Sequence, residues 1–246
     1  MSDPTRSAGL RYLAVTEGLV TRLATTEWPR IEAAAAVITE ALATGHVLHA
    51  FGSGHSHMLA EELFYRAGGL VRVRPILFEG LMLHVSATLS TTLERLPGLA
   101  AALLDDHPMA AGDVLVLASN SGGNAVTVDL ARLARDAGVH TIALTSLGHA
   151  ASPQARATTG SRLHEIADLV IDNGGAVGDA AVDIEGLAGR VAPTSTVIGA
   201  AIIEALVAEV VERLVARGIV PEVYASSNVA GGDAANARFA RPGQTG

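Results

Sequence analysis

Two short stretches carry the residue types that could do chemistry. "FGSGHSHMLAEELF" (51–64) sets Gly52, Ser53, Gly54, His55, Ser56 and His57 directly ahead of Glu61 and Glu62. "LASNSGGNAV" (117–126) ends an apolar run in Ser119, Asn120, Ser121, Gly122 and Gly123, with Asn124 opening the next element. Hydroxyls, glycines that let a ligand reach the backbone, and the N–H groups of a helix N-terminus are what an anion site uses. The same residues also serve as ordinary N-caps and turns. Repetition separates the two uses: a third apolar run, "HTIALTS" (140–146), ends in Thr145 and Ser146. Three hydroxyl-ended strands at one sheet edge point to a phosphate-type anion, because open α/β sheets bind ligands off the carboxyl ends of their strands.

The acids and histidines supply proton chemistry. Glu61 and Glu62 lie one turn past the first loop, where one of them can face a bound ligand as a base. A helix dipole also favours acids in a first turn, which is their bland explanation. His57 and Glu61, four apart, would share a helix face as paired metal ligands do. No HExxH motif surrounds them, and His55 projects differently, so no metal and no cofactor is expected. His84, in "FEGLMLH", and His164, in "SRLHEIADL", are further proton carriers.

Composition narrows the classes. The chain has 246 residues, 49% of them hydrophobic, enough for one sizeable α/β core. A net charge of −8 argues against nucleic-acid binding, which needs a basic face. The absence of cysteine excludes disulfides, thiolate metal sites and Cys nucleophiles, and the absence of lysine excludes Schiff bases and a P-loop. "MSDPTRSAGL" lacks an apolar signal core, and no apolar run reaches the roughly 18–20 residues of a membrane span. A cytoplasmic protein with no membrane partner is expected.

Elements must position these loops. Helices are expected over 7–25 and 29–44, then a strand over 46–51, a helix over 56–68 and a strand over 70–77. Residues 80–104 read as a helix in two pieces broken at "LPG", followed by strand 112–119, helix 124–137 and strands 139–146 and 167–173. Helix 195–218 is apolar nearly all round, so it is central or at an interface. The Gly-rich 172–196 reads as a long connection whose Asp172, Asn173, Asp179, Thr194, Ser195 and Thr196 could bind sugar hydroxyls. The polar 219–246 is an extension, with "SSNVAGGD" (226–233) able to cover a site, its own or a neighbour's, and the last residues disordered. Strand–helix alternation with doubly buried strands means a parallel sheet between helical layers.

"GSGHS" (52–56), "AEEL" (60–63), "GDVLVLASNSGGNAV" (112–126) and "HTIALTS" (140–146) together resemble the sugar isomerase (SIS) domain family, and in particular its phosphoheptose-isomerase-like bacterial branch. The resemblance covers roughly 30–217 of a single domain spanning 1–246. It implies a three-layer α/β/α flavodoxin-like sandwich with N-terminal helices and a C-terminal extension, a phosphorylated sugar as ligand, and a homodimer or homotetramer. It implies an aldose–ketose isomerase working through an enediol(ate), with a phosphosugar sensor or a lyase as alternatives. Glu62 matches the family's base. The long C-terminal helix usually carries a second proton-moving group near its start. Matching that helix places Gly199 at the position, so another residue must act there, or none does.

Overall fold

A computed structural model describes residues 7–239. The N-terminal helices are continuous: α1 (Ala8–Arg22) runs through a π-helical turn, Leu23–Glu27, into α2 (Trp28–Ala43). Then follow β1 (Leu48–Gly52), α3 (His57–Leu63), β2 (Val73–Ile76), α4 (Ala87–Leu93) and α5 (Leu99–Asp106). Next come β3 (Val114–Ala118), α6 (Ala125–Asp136), β4 (His140–Thr145), α7 (Leu147–Ala150), α8 (Leu163–Ile166) and β5 (Leu169–Asp172). A hairpin of β6 (Ala180–Asp183) and β7 (Arg190–Pro193) leads into α9 (Ser195–Ala216), and α10 (Gly232–Asn236) lies in the extension.

The five-stranded sheet is parallel throughout, in the order β2-β1-β3-β4-β5. Central β1 and β3 are buried along their whole length, whereas the edge strands β2 and β5 are half-exposed. That is why the central runs are apolar but for the buried His49 of β1. Alternation along each strand divides the core in two. Leu48, Ala50, Val114, Val116, Ile142 and Leu144 pack under α2, α3 and α9, while Phe51, Leu115, Leu117 and Ala143 pack under α5, α6 and α8. The α/β/α sandwich is therefore as expected. α9 buries Ile198, Ile202, Ile203, Leu206 and Val210 against α2 and α3, and exposes Val197 and Val215. Among the described residues, no helix is long and apolar enough to cross a membrane.

Two expectations needed correction. The helix expected over 56–68 stops at Leu63, because Phe64 turns extended and Tyr65 takes a left-handed conformation at φ 48°. The chain beyond it pairs with the extension instead: Gly68 N donates to Tyr224 O at 2.8 Å and Val71 N to Glu222 O at 3.0 Å. The connection 172–196 is not structureless, since it folds the β6–β7 hairpin, which α1 anchors through Arg11 Nη1 to Asp183 O at 2.9 Å and Tyr12 Oη to Pro193 O at 3.0 Å. Within one copy "SSNVAGGD" does not line the cleft described below, and whether it covers a neighbouring copy's site is a matter for the assembly. The segment packs near the end of α3, with Tyr224 edge-on to Tyr65 at 4.8 Å. The disorder expected at the end of the chain falls on residues 240–246, outside the described residues.

Candidate functional site

The strand order fixes where a ligand can enter. From β1 the chain moves outward to β2, then returns to place β3 on the other side of β1, so the loops after β1 and β3 leave toward opposite helical layers. A crevice opens between such loops at the carboxyl ends of the strands. Here a narrow cleft of about 10 Å³ is lined by Ser56, Leu59, Ser119, Asn120, Asn173 and Thr196, among others.

The first loop is folded tightly on itself. A side chain at Gly52 would come within 2.2 Å of Ser56 O, so only glycine lets the strand end so close to the following turn. Ser53 is buried and its hydroxyl donates to Glu94 Oε2 at 3.0 Å. Ser56 lines the cleft, and its hydroxyl has no protein partner among the described residues. His57 is buried, its Nδ1–H donating to Gly54 O and its Nε2 lying 3.8 Å from Glu61 Oε1, with the His84 ring at 5.9 Å. The structure therefore brings His57, Glu61 and His84 together, with Glu61, His84 and His55 exposed. Among the described residues no group of three such side chains could hold a metal ion.

The second loop is held from behind. Thr145 Oγ1 donates to Asn120 O at 3.3 Å, and Ser146 N donates to the same oxygen at 3.2 Å. The Ser146 hydroxyl donates to Gly175 O at 2.6 Å and accepts from His149 N at 3.0 Å. Thr145 and Ser146, expected as ligands, are fully buried and spend their hydroxyls on the main chain, so they position the loop instead. Asn173 Nδ2 donates to Asn120 Oδ1 at 3.0 Å, which orients the Asn120 amide at the cleft. Gly122 N donates to Ser119 Oγ at 3.2 Å, closing the turn before Asn124. Ser121 offers a hydroxyl with no protein partner among the described residues.

The start of α9 is already occupied. Thr194 N and Ser195 N donate to Asp179 Oδ1 at 3.1 and 2.9 Å, and the Ser195 hydroxyl donates to Asp179 Oδ2. Asp179 caps the helix dipole, so the expected ligand pair Thr194 and Ser195 faces a resident carboxylate first. Gly199 is buried, and a side chain there would meet Leu59 Cδ1 at 2.5 Å. Leu59 thus fills the space beside the position where a second proton-moving group was sought.

One turn beyond Leu59 on α3 lies Glu62. Its carboxyl hydrogen bonds with that of Glu204 on α9, and Arg66 joins both, Nη1 at 2.9 Å from Glu62 Oε2 and Nε at 3.4 Å from Glu204 Oε1. Burial, then the hydrogen bond and charge of Glu62, push Glu204 above the usual glutamate range, against Arg66.

Comparison with known proteins fixes the lineage. A model described as the SIS domain matches residues 11–146, more than half of the chain. A "UPF0309 protein" of Listeria monocytogenes serotype 4b is 41% identical over 225 residues, covering 92% of this chain and 91% of the relative. Another, of Streptomyces griseus, is 42% identical over 240 residues, covering 97% and 95%. The chain belongs to the SIS domain family. Among solved structures, a phosphoheptose isomerase from Francisella tularensis superposes with a TM-score of 0.54 at 15% identity, covering 81% of this chain and 94% of that one. The phosphoheptose isomerase of Neisseria gonorrhoeae gives 0.51 at 16% identity, covering 82% and 94%. At such identity these neighbours establish the SIS fold.

Two acids of this SIS chain escape a reading of its sequence. Glu94 sits at the C-cap of α4, where the helix dipole disfavours a carboxylate. Glu204 is a lone acid in an apolar run of α9. Each was visible as an acid in the wrong place, but the partner that explains it lies far along the chain.

Proposed function

We propose that this chain binds a phosphorylated sugar at the switch point and isomerises it by enediol(ate) proton transfer. The supporting observation is the pairing of two hydroxyl-rich loops around one cleft with two hydrogen-bonded carboxyls, Glu62 and Glu204, on the adjoining α3–α9 seam. In this proposal Ser53, Ser56, Ser119, Asn120, Ser121 and the amides around Gly54, Gly122 and Asn124 take the phosphate. No lysine is available, and neutral donors at a helix N-terminus suffice for such an anion.

Glu62 then takes the proton from the carbon next to the carbonyl, and Glu204 carries the proton between the two oxygens. A carboxylate beside a second carboxyl that burial pushes upward offers a base and an acid together, which is what moving a hydrogen between adjacent carbons needs. Arg66 keeps the ionised partner charged. His57, Glu61 and His84 form a second proton-carrying group beside the first loop. Gly199 ceases to be a gap, because the same helix delivers Glu204 beyond it.

The chain acts as a homodimer or homotetramer in this account. Helix α1 buries none of its side chains and leaves Leu10, Leu13 and Val20 exposed, which gives a second copy an apolar face to cover. Light scattering on the purified chain tests the stoichiometry.

The test of function is a panel of sugar phosphates screened by thermal shift, with products of each binder followed by NMR. An aldose–ketose conversion is expected, and Ser121→Ala should weaken binding about tenfold or more, the cost of a lost hydrogen bond to a charged group. Binding without any product would reduce the chain to a phosphosugar sensor. Loss of water or of a substituent without isomerisation would make it a lyase working from the same base. Unchanged binding by Ser121→Ala would remove the anion site from the second loop.

A further inference from the structure

Glu94 stands where the two loops meet. Its Oε2 accepts the Ser53 hydroxyl at 3.0 Å, and the Asn124 side chain hydrogen bonds to the same carboxyl. Its main-chain oxygen accepts Val126 N–H, in the first turn of α6, at 3.2 Å. A methyl group placed on Gly54 would lie 4.0 Å from Oε2, so the carboxyl reaches over the first loop. Glu94 therefore occupies one donor from each loop, the donors that an arriving anion needs. A negative charge at that place also repels the anion.

We propose that Glu94 determines how the anion site is filled: an oxyanion enters together with one proton, which Glu94 takes up. The inference rests on the assignment of the two loops as the anion site. An ionised carboxylate can only accept, so it holds the Ser53 hydrogen for itself. Once protonated, it donates its own O–H to the Ser53 oxygen, and the Ser53 hydrogen turns toward the anion. The proton comes from solvent and stays on the carboxyl, and no bond between heavy atoms changes. Burial pushes Glu94 above the usual glutamate range, against the Ser53 and Asn124 hydrogen bonds and the neighbouring Arg95 charge.

Other titrating groups lie on the elements packed against α4. His55 and His57 belong to the first loop and its helix, and Glu79 and His84 flank the turn that precedes α4. Arg95 is the charged neighbour on the same element. Any of the histidines could make anion binding depend on pH, so the test must separate them from Glu94.

Sulfate is a suitable probe, because its charge stays constant across the working range and only the protein titrates. Its affinity for the full chain is measured by thermal-shift titration from about pH 5 to about pH 8.5. In the unaltered chain it should fall by up to about tenfold per pH unit above the pKa of Glu94, the limit for one coupled proton. Glu94→Gln, whose amide N–H can donate to Ser53, should bind at least as tightly at high pH and lose most of that slope. Glu94→Asp, which restores a titrating carboxyl, should restore it. A slope that Glu94→Gln leaves intact belongs to a histidine and overturns the proposal. A flat profile in the unaltered chain overturns it while leaving the anion site standing. Sulfate bound by none of these proteins at any pH overturns the anion site itself, and the proposal with it.

Discussion

Asp113 lies where the strands of the sheet begin, and Glu94 lies where the loops after them turn back. Asp113 Oδ1 accepts Val47 N at 3.0 Å, and Oδ2 accepts Ala110 N at 2.9 Å and His49 Nε2 at 3.2 Å. Burial raises its pKa, but the backbone hydrogen bonds and His49 outweigh burial and hold it below the usual carboxylate range. Glu94 has side-chain donors alone, and burial wins. Backbone donors exist for the fold and do not move. Side-chain donors can be handed to something else. The start of the sheet is finished by its own backbone, and its far end is where the proposed ligand would complete the hydrogen bonds.

The largest expected effect is at the finished edge. Asp113→Ala strands two backbone N–H groups and His49, and should cost about 3–5 kcal/mol in urea unfolding. A loss under about 1 kcal/mol would mean that the cluster is not structural. Next in size is the packing at the ligand edge: Leu59→Ala should cost about 2–4 kcal/mol, since Leu59 is buried against Gly199. Gly199→Ala, pushing on the mobile end of Leu59, should cost about 1–3 kcal/mol.

The smallest effect sharpens the contrast most, because its sign differs at the two edges. The folded-state pKa of Glu94 lies above its ordinary 4.5. Its favourable share of stability is thus complete below 4.5 and is lost as pH rises through the raised value. Asp113 is depressed from 3.8, so its share is present above 3.8 and lost as pH falls through the lowered value. Glu94→Gln should therefore match the parent chain in acid and exceed it at neutral pH, by less than about 1 kcal/mol after solvent screening. Thermal unfolding across pH reads this directly, and a variant less stable at neutral pH than in acid, relative to the parent, would reverse the assignment.

The sheet was legible because β1, β3 and β4 are apolar runs ending in hydroxyl residues, a local pattern. The loops followed from the same pattern, though not the direction of their side chains. Thr145 and Ser146 look like ligands until Asn120 O and Gly175 O are seen behind them. Glu94 lies 41 residues from Ser53, and Glu204 pairs with Glu62 across two different helices. Neither pairing leaves a trace in periodicity. The end of α3 was misplaced because its apolar pattern runs on, while the backbone beyond it is claimed by Glu222 and Tyr224 from the extension. Those partners are set by tertiary structure, which overrides local propensity.

The central claim is that the Glu62–Glu204 pair moves a proton at a sugar held by the two loops. It is tested most directly by incubating a bound sugar phosphate in D₂O and following deuterium entry beside the carbonyl carbon by NMR. The unaltered chain should exchange that hydrogen. Glu62→Gln should bind the same sugar and exchange it at least about a hundredfold more slowly, while Glu204→Gln should keep exchange but slow conversion. Binding with no exchange in the unaltered chain, or exchange that survives Glu62→Gln, would contradict the account.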